Sequence, residues 1–174
     1  KTTTIGFAPA NSTSFRDVTS SRKFKLEPES SQSAIVNGVE NPGGFAPNPD
    51  GIDTGLDIHL LENTLETGPD ASQATLMIVN EITDIPTSNV LLDDATLIGN
   101  SLSYGTAGGY VLVQPQAHSL DFRNAGTNNR IFKSSVEFFG LRGRAGIVIA
   151  SGFVDSTAAN QNGAAVSTFL VLDD

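Results

Sequence analysis

The chain is a series of short apolar runs separated by turn-forming segments. Runs such as Ser33–Val39, Thr75–Val79 and Ile147–Phe153 are rich in β-branched and aromatic residues. Their length and composition indicate β-strands, because a stable helix needs a longer apolar stripe. Turn signals such as Asn41-Pro-Gly-Gly and Asn160-Gln-Asn-Gly stand between them. The pattern predicts an all-β fold made of antiparallel β-sandwich units.

The remaining predicted strands follow the same criteria and are short. They are Thr2–Phe7, Asp57–Leu61, Val90–Leu92, Thr96–Ile98, Tyr110–Val113, Ser119–Phe122, Val136–Leu141 and Val166–Leu172. Two segments, Glu62–Glu66 and Asn129–Lys133, are each expected to hold at most one helical turn.

The strand pattern occurs twice, at a spacing of about 112–115 residues. Thr4–Val39 aligns with Ser119–Phe153, and the strand after Leu56 aligns with the last strand of the chain. The second copy also has a first half, Ala74–Val113, that the first copy lacks. We therefore predict one and a half tandem units. Residues 1–67 are an incomplete sandwich and residues 68–174 a complete one, with the boundary in the polar stretch Glu62–Gln73.

A half unit leaves strand edges and an apolar face uncovered, and such edges recruit further strands. The missing half is supplied either by the second unit of the same chain or by a neighbouring subunit. The candidate exchanged elements are the first and last strands. Their candidate interface residues are Thr4, Ile5, Phe7, Val166, Phe169 and Val171.

Composition narrows the classes of partner. The 174 residues carry 10 basic and 19 acidic side chains, for a net charge of −9. Nucleic acid and anionic membranes are therefore not expected partners. No apolar run is long enough to span a membrane, so no membrane insertion is predicted. The first residue is Lys1 rather than Met, which suggests a processed product or an excerpt of a longer repeat protein.

The sequence offers little for catalysis, and we predict that the protein is not an enzyme. It has no Cys and no Gly-x-Ser-x-Gly motif, and its two histidines, His59 and His118, are expected at strand surfaces. The adjacent Asp93 and Asp94 are not expected to cooperate as acid and base, because neighbouring strand residues point to opposite faces, and they are predicted to form a turn.

The candidate metal site is the acidic loop Asp50-Gly-Ile-Asp-Thr-Gly-Leu-Asp. Its carboxylates Asp50, Asp53 and Asp57 are oxygen ligands of the kind that Ca²⁺ prefers. The spacing differs from that of an EF-hand, and a solvated turn is the alternative. No other cofactor is predicted.

Two short motifs fit glycosylation sites. Asn11-Ser-Thr matches the N-linked pattern, and Asp155-Ser-Thr resembles a bacterial O-linked acceptor centred on Ser156. Both are predicted in loops, and chance occurrence is the alternative for each.

The second copy resembles a bacterial secreted family, domain of unknown function 4397. The residues that carry the likeness include Ala74-Thr-Leu-Met-Ile-Val-Asn, Asp121-Phe-Arg-Asn-Ala-Gly-Thr and Ile147-Val-Ile-Ala-Ser-Gly-Phe. The first copy resembles only the second half of that family. The resemblance implies an immunoglobulin-like sandwich in an exported, cell-surface or extracellular protein of bacteria. It implies no active site.

These observations favour an extracellular structural subunit that assembles with copies of itself into a filament or surface layer through β-strand complementation. The alternative is a cell-surface adhesin that binds a glycan or protein ligand, with Phe45, Tyr104 and Tyr110 near turns. The absence of Trp disfavours the adhesin. Between subunits, the basic pairs Arg22-Lys23 and Arg142-Gly-Arg144 are candidates for pairing with Asp93-Asp94.

Overall fold

A computed structural model describes residues 2–26, 28 and 30–172 of the chain. The fold is all-β, as predicted, and its helical content in the described part is limited to three 3₁₀ turns. Those turns are Phe15–Asp17, Pro42–Gly44 and Ala158–Asn160. Within the described residues, no helix is long and apolar enough to cross a membrane.

Thirteen strands are present in the described residues. They are β1 (Thr2–Phe7), β2 (Ser20–Lys25), β3 (Gln32–Asn37), β4 (Asp57–Glu62), β5 (Ala74–Ile82), β6 (Ser88–Leu92), β7 (Thr96–Leu102), β8 (Thr106–Ala107), β9 (Val111–Val113), β10 (Ala117–Asn124), β11 (Arg130–Glu137), β12 (Ala145–Gly152) and β13 (Ser167–Leu172).

Strands β5 to β13 form a two-sheet sandwich. One sheet has the order β11-β10-β6-β7, and the other has the order β13-β12-β5-β8, with β9 also paired to β5. All these pairs are antiparallel except β5 with β12, which run parallel. The sheets enclose one core, in which Ile78, Leu120, Phe122 and Val148 are almost fully buried. Burial of such side chains stabilises the fold by roughly 1.5–3 kcal/mol each.

Strand β5 is buried at all nine positions, although a strand of a two-layer sandwich normally alternates between buried and exposed residues. The reason is a third layer. Met77, Val79 and Ile147 point away from the main core and contact Ile35 of β3 and Leu61 of β4. The β3–β4 pair therefore covers the outer face of the sheet that contains β5.

The first four strands make two antiparallel pairs, β1 with β2 and β3 with β4. The pairs lie side by side through β2 and β4. The Ser20 hydroxyl donates to the Leu56 carbonyl at 3.1 Å, and Arg22 donates to the Ile58 carbonyl at 3.2 Å. Phe24 and Ile58 are the buried apolar residues of this part, with exposed fractions of 5% and 0%.

The loop between β3 and β4 fastens the first unit to the second. The Asn48 amide donates to the carbonyls of Thr83 (2.8 Å) and Ile85 (3.3 Å), and the ring of Phe45 stacks on Phe153. The Ala46 N–H donates to the side-chain oxygen of Asn160 at 3.1 Å.

The strand predictions differ from the structure in three places, the smallest of which is the two-residue strand β8 (Thr106–Ala107), which was not predicted. Ser20–Lys25 was not predicted, because its Arg and Lys residues hide the strand pattern, yet it pairs with β1 along its whole length. The segment Asn129–Lys133, where a helical turn was expected, belongs largely to strand β11, which was predicted only from Val136 onward. Cross-strand pairing with β10 decides its conformation, including the Phe122–Phe132 pair.

Candidate assembly surface

The pairing of β1 to β4 follows the same pattern as that of β10 to β13. Strand β1 pairs with β2 as β10 pairs with β11, and β3 pairs with β4 as β12 pairs with β13, all antiparallel. An isolated parallel bridge also follows β3 and β12 at matching places, Val39 with Gly55 and Phe153 with Ala165.

A glycine precedes each bridge, and the backbone there requires it. Gly38 has φ +90° and Gly152 has φ +103°, a conformation that L side chains rarely adopt. A Cβ atom on Gly38 would lie 2.4 Å from the Gly55 carbonyl oxygen, and one on Gly152 would lie 2.7 Å from that of Ala165. Both segments therefore need a glycine where the chain passes from the strand to the parallel bridge, and the sequence has Asn-Gly and Ser-Gly there. We call Gly38 and Gly152 the crossing glycines.

The matching strands differ in their neighbours. Strand β10 lies between β11 and β6, and β12 lies between β13 and β5. Among the strands that the structure describes, β1 pairs only with β2, and β3 only with β4. The backbone groups along one edge of β1 and one edge of β3 thus lack a strand partner.

The apolar side chains of β1 and β3 are also more exposed than those at the matching places of β10 and β12. Leu120 and Phe122 are 0% exposed, whereas Ile5 and Phe7, at the matching places of β1, are only partly buried. Val36 is 45% exposed, although Ala150 at its counterpart in β12 is 0% exposed. The first unit therefore presents an incompletely covered apolar face next to its open strand edges.

The predicted interface residues lie in different environments. Thr4 is exposed on β1, and Phe169 and Val171 on β13 are 55% and 49% exposed. Val166 is instead partly buried against the main core, and its N–H donates to the Phe153 carbonyl at 2.9 Å. Val166 therefore contributes to the core of the second unit, and its role in an interface stays a prediction.

Sequence reasoning missed Phe15, which is 98% exposed on the β1–β2 connection. It borders a cavity of about 320 Å³ together with Ala8 and Val18. A Phe within a run of Ser, Thr and Asn was the available signal.

The three carboxylates of the predicted calcium site do not converge. Asp50 accepts hydrogen bonds from the N–H and hydroxyl of Thr87 (2.5 and 2.8 Å), and Asp57 pairs with Arg22. Asp53 accepts the Gly55 N–H at 2.9 Å in a local turn. In the described residues no group of three or more His, Cys, Asp and Glu is arranged to hold a metal ion. The loop is a docking element, and the calcium prediction was wrong for that reason.

His118 does not lie at a strand surface, contrary to expectation, and His59 is only partly exposed on β4. His118 is 9% exposed, and its Nδ1 lies 2.7 Å from Asp93 Oδ2 and its Nε2 2.8 Å from the Gln114 carbonyl. His59 is partly buried between the two units, with Nδ1 3.4 Å from Glu81 Oε1. Both rings serve as internal contacts.

Glu81 is a buried carboxyl group that the sequence reasoning overlooked. It is 3% exposed on β5, and its Oε2 accepts a hydrogen bond from the Asn37 amide at 2.5 Å. Burial raises the pKa of Glu81 above its ordinary value, which the Asn37 hydrogen bond and the nearby His59 partly oppose. A Glu inside an otherwise apolar strand was the signal that could have found it.

Asp93 and Asp94 form the predicted turn, with left-handed φ values of 51° and 61°. Both carboxylates have partners in their own chain. The Ser119 backbone N–H and His118 lower the pKa of Asp93, and the hydrogen bond from Lys133 lowers that of Asp94. The pair is therefore not a free acidic patch, and the expected pairing with basic residues of another subunit loses its acceptor.

The candidate glycosylation residues both lie in loops. Asn11 is exposed in the connection between β1 and β2, and Ser156 is partly buried after β12.

Two comparisons with known proteins found no relative. No protein-family model matches the chain, and a search of curated proteins found no match. The likeness to domain of unknown function 4397 therefore has no support from these comparisons.

Proposed function

We propose that the protein is an extracellular structural subunit, built from one and a half tandem sandwich units, that associates with copies of itself through its incomplete first unit. The observation that carries the proposal is the pair of open edges on β1 and β3, at the places where β10 and β12 have neighbours. Unpaired edges beside uncovered apolar residues favour strand addition. The extracellular location rests on the resemblance of the sequence alone.

The strand content of the chain favours one mode of association over another. Each chain contains two segments like β10–β13 and one segment like β5–β9. A copy that donated β5–β9 to a neighbour would leave its own β10–β13 without a core. Exchange of complete halves therefore gains nothing, and addition of an edge strand is the favoured mode.

The donor that we propose is β13 of the neighbouring copy. It lies at the end of its sheet and carries Phe169 and Val171 exposed on one face. A contact between β1 of one copy and β13 of the next joins two different surfaces. Such a contact repeats from copy to copy and produces a chain of subunits.

Sedimentation velocity between 1 and 200 µM protein, followed by negative-stain microscopy, tests this function. We expect concentration-dependent oligomers in the wild type and their loss in Phe169→Lys. Leu97→Lys is the matched control, because Leu97 is similarly exposed, at 51% against 55% for Phe169, but lies on β7. Circular dichroism checks that both variants are folded. A wild type that remains monomeric over this range, or equal loss in both variants, contradicts the proposal.

A further inference from the structure

A cavity of about 220 Å³ lies at the junction between the two units. We call it the junction cavity. It is lined by Asn37, Asp53, Gly55, Leu56, Asp57 and His59 of the first unit and by Tyr104 of the second. Gly105 lies against it, where a Cβ atom would be 2.1 Å from the His59 ring. The ring therefore fits there only because residue 105 is glycine.

Two residues of the lining keep buried oxygen atoms without a hydrogen-bond partner. Tyr104 is 5% exposed and Asn37 is 7% exposed, and neither the Tyr104 hydroxyl nor Asn37 Oδ1 is paired. Directly behind the lining, Glu81 Oε1 is also buried, and it pairs with His59 Nδ1 at 3.4 Å. Buried polar atoms in folded proteins are nearly always paired, so two unpaired oxygen atoms in the lining of one cavity indicate a missing donor.

The charges around the junction cavity are mainly negative. Asp53 and Asp57 line it, and Glu81 lies behind Asn37 and His59. Burial, followed by the charges of Glu81, Asp57 and Asp53, raises the pKa of Tyr104. The basic groups that face these carboxylates are Arg22, which pairs with Asp57, and His59. A donor that enters here should carry positive charge.

We propose that the junction cavity binds an alkylammonium group. An ammonium nitrogen has three hydrogens to donate, while the site offers carboxylate, amide and phenol oxygen atoms and an aromatic ring that favours cations. The cavity volume suits a short alkyl chain rather than a drug-sized molecule. A metal ion is disfavoured, because the described residues hold no cluster of three metal-binding side chains.

Two kinds of molecule can supply the alkylammonium group: a free small amine, or a lysine side chain of a second copy. In either case the ligand contacts both units, so its binding should hold the β3–β4 layer against the β5 sheet. This role does not depend on the proposed strand addition, since a monomer also contains the cavity.

The test uses n-butylammonium chloride as the probe, with 1-butanol as the neutral isostere. Amide chemical shifts of the full chain are followed by NMR during each titration. We expect saturable shifts at residues 37, 53–59 and 104 with butylammonium, with a dissociation constant of about 1 mM for so small a ligand. Butanol should bind at least tenfold more weakly.

Asp53→Asn is the main variant, because Asp53 is exposed and its loss should not affect folding. We expect it to weaken binding about tenfold, the effect of removing one charge-assisted contact. Tyr104→Phe removes only the hydroxyl and should also weaken binding, whereas Asp155→Asn, outside the cavity, should leave it unchanged. Absence of saturable shifts up to 50 mM, or equal response to butanol, overturns the inference.

Sedimentation with and without 50 mM butylammonium separates the two sources. If a lysine of a second copy fills the cavity, the probe dissociates concentration-dependent oligomers. If the natural ligand is a free amine, the oligomers are unaffected while the probe still binds. Failure of the strand-addition proposal would appear instead as a monomer that still binds the probe.

Discussion

Phe45 and Phe153 stack with their ring centroids 5.5 Å apart and an angle of 7° between the ring planes. Phe45 belongs to the loop between β3 and β4, and Phe153 follows β12. The contact therefore joins the two units at the same end as the hydrogen bonds from Asn48.

Removal of the Phe45 ring should loosen this junction. We expect Phe45→Ala to lower the free energy of unfolding by about 1–2 kcal/mol, because a partly buried aromatic pair is lost. Phe15→Ala is the matched control, since Phe15 is 98% exposed, and should change stability by less than about 0.5 kcal/mol. Urea unfolding measures both, and equal effects would show that the stacked pair does not stabilise the junction.

The two crossing glycines should tolerate no side chain. Alanine at Gly38 or Gly152 combines an unfavourable φ with a Cβ within 3 Å of a backbone oxygen, so each should destabilise by about 2 kcal/mol or more. Gly43→Ala and Gly109→Ala are the controls, because a Cβ atom there meets nothing within 4 Å. Thermal unfolding of the four variants should separate them into two pairs. If Gly38→Ala left the stability unchanged, the backbone requirement at Gly38 would differ from that at Gly152.

Because of Glu81, the free energy of unfolding should decrease as the pH rises. Its folded pKa is raised above the unfolded value, so its stabilising effect is complete below the unfolded pKa and is lost as pH rises through the folded pKa. Glu81→Gln keeps the amide contact to Asn37 and cannot ionise. We expect the stability of the variant relative to the wild type to be greater at pH 8 than at pH 5. Urea unfolding midpoints of both proteins at the two pH values measure this difference. Glu40→Gln, at an exposed position, should show no such change.

Asp121 should be among the most sensitive charged positions. It is 0% exposed and accepts hydrogen bonds from Arg123 Nε at 2.7 Å and from Arg130 Nε at 2.8 Å. Asp121→Asn leaves both guanidinium groups without their shared buried anion and should cost about 3 kcal/mol. The exposed Asp155→Asn should stay within about 0.5 kcal/mol of the wild type in the same denaturation assay. A small effect at Asp121 would mean that Asp94 alone can hold the two arginines.

The local sequence pattern was sufficient to predict much of the fold. The apolar, β-branched character of β5 and β12 predicted buried strands, and Asp93-Asp94 predicted a turn, because both depend on residues close in sequence. Strand β2 escaped prediction since Arg22, Lys23 and Lys25 give it a polar sequence. Its conformation depends on pairing with β1.

The junction cavity could not be predicted in the same way. Asn37, His59, Glu81 and Tyr104 come from four separate segments, and no spacing along the chain connects them. Only the packing of one unit on the other brings them together. The calcium prediction failed for the related reason that Asp50, close to Asp53 in sequence, binds Thr87 of the other unit.

The third layer has a consequence for symmetry. Ile35 and Ile149 occupy matching positions in β3 and β12, and both pack on the same cluster around Met77 and Val79. The two related hairpins therefore meet through the same face. A contact between two copies of one face is self-complementary and closes on itself, as a twofold interface does. Within one chain the two copies of that face already cover each other in part, so a polymer of the kind proposed above would propagate along the strand edges, in the plane of the sheets.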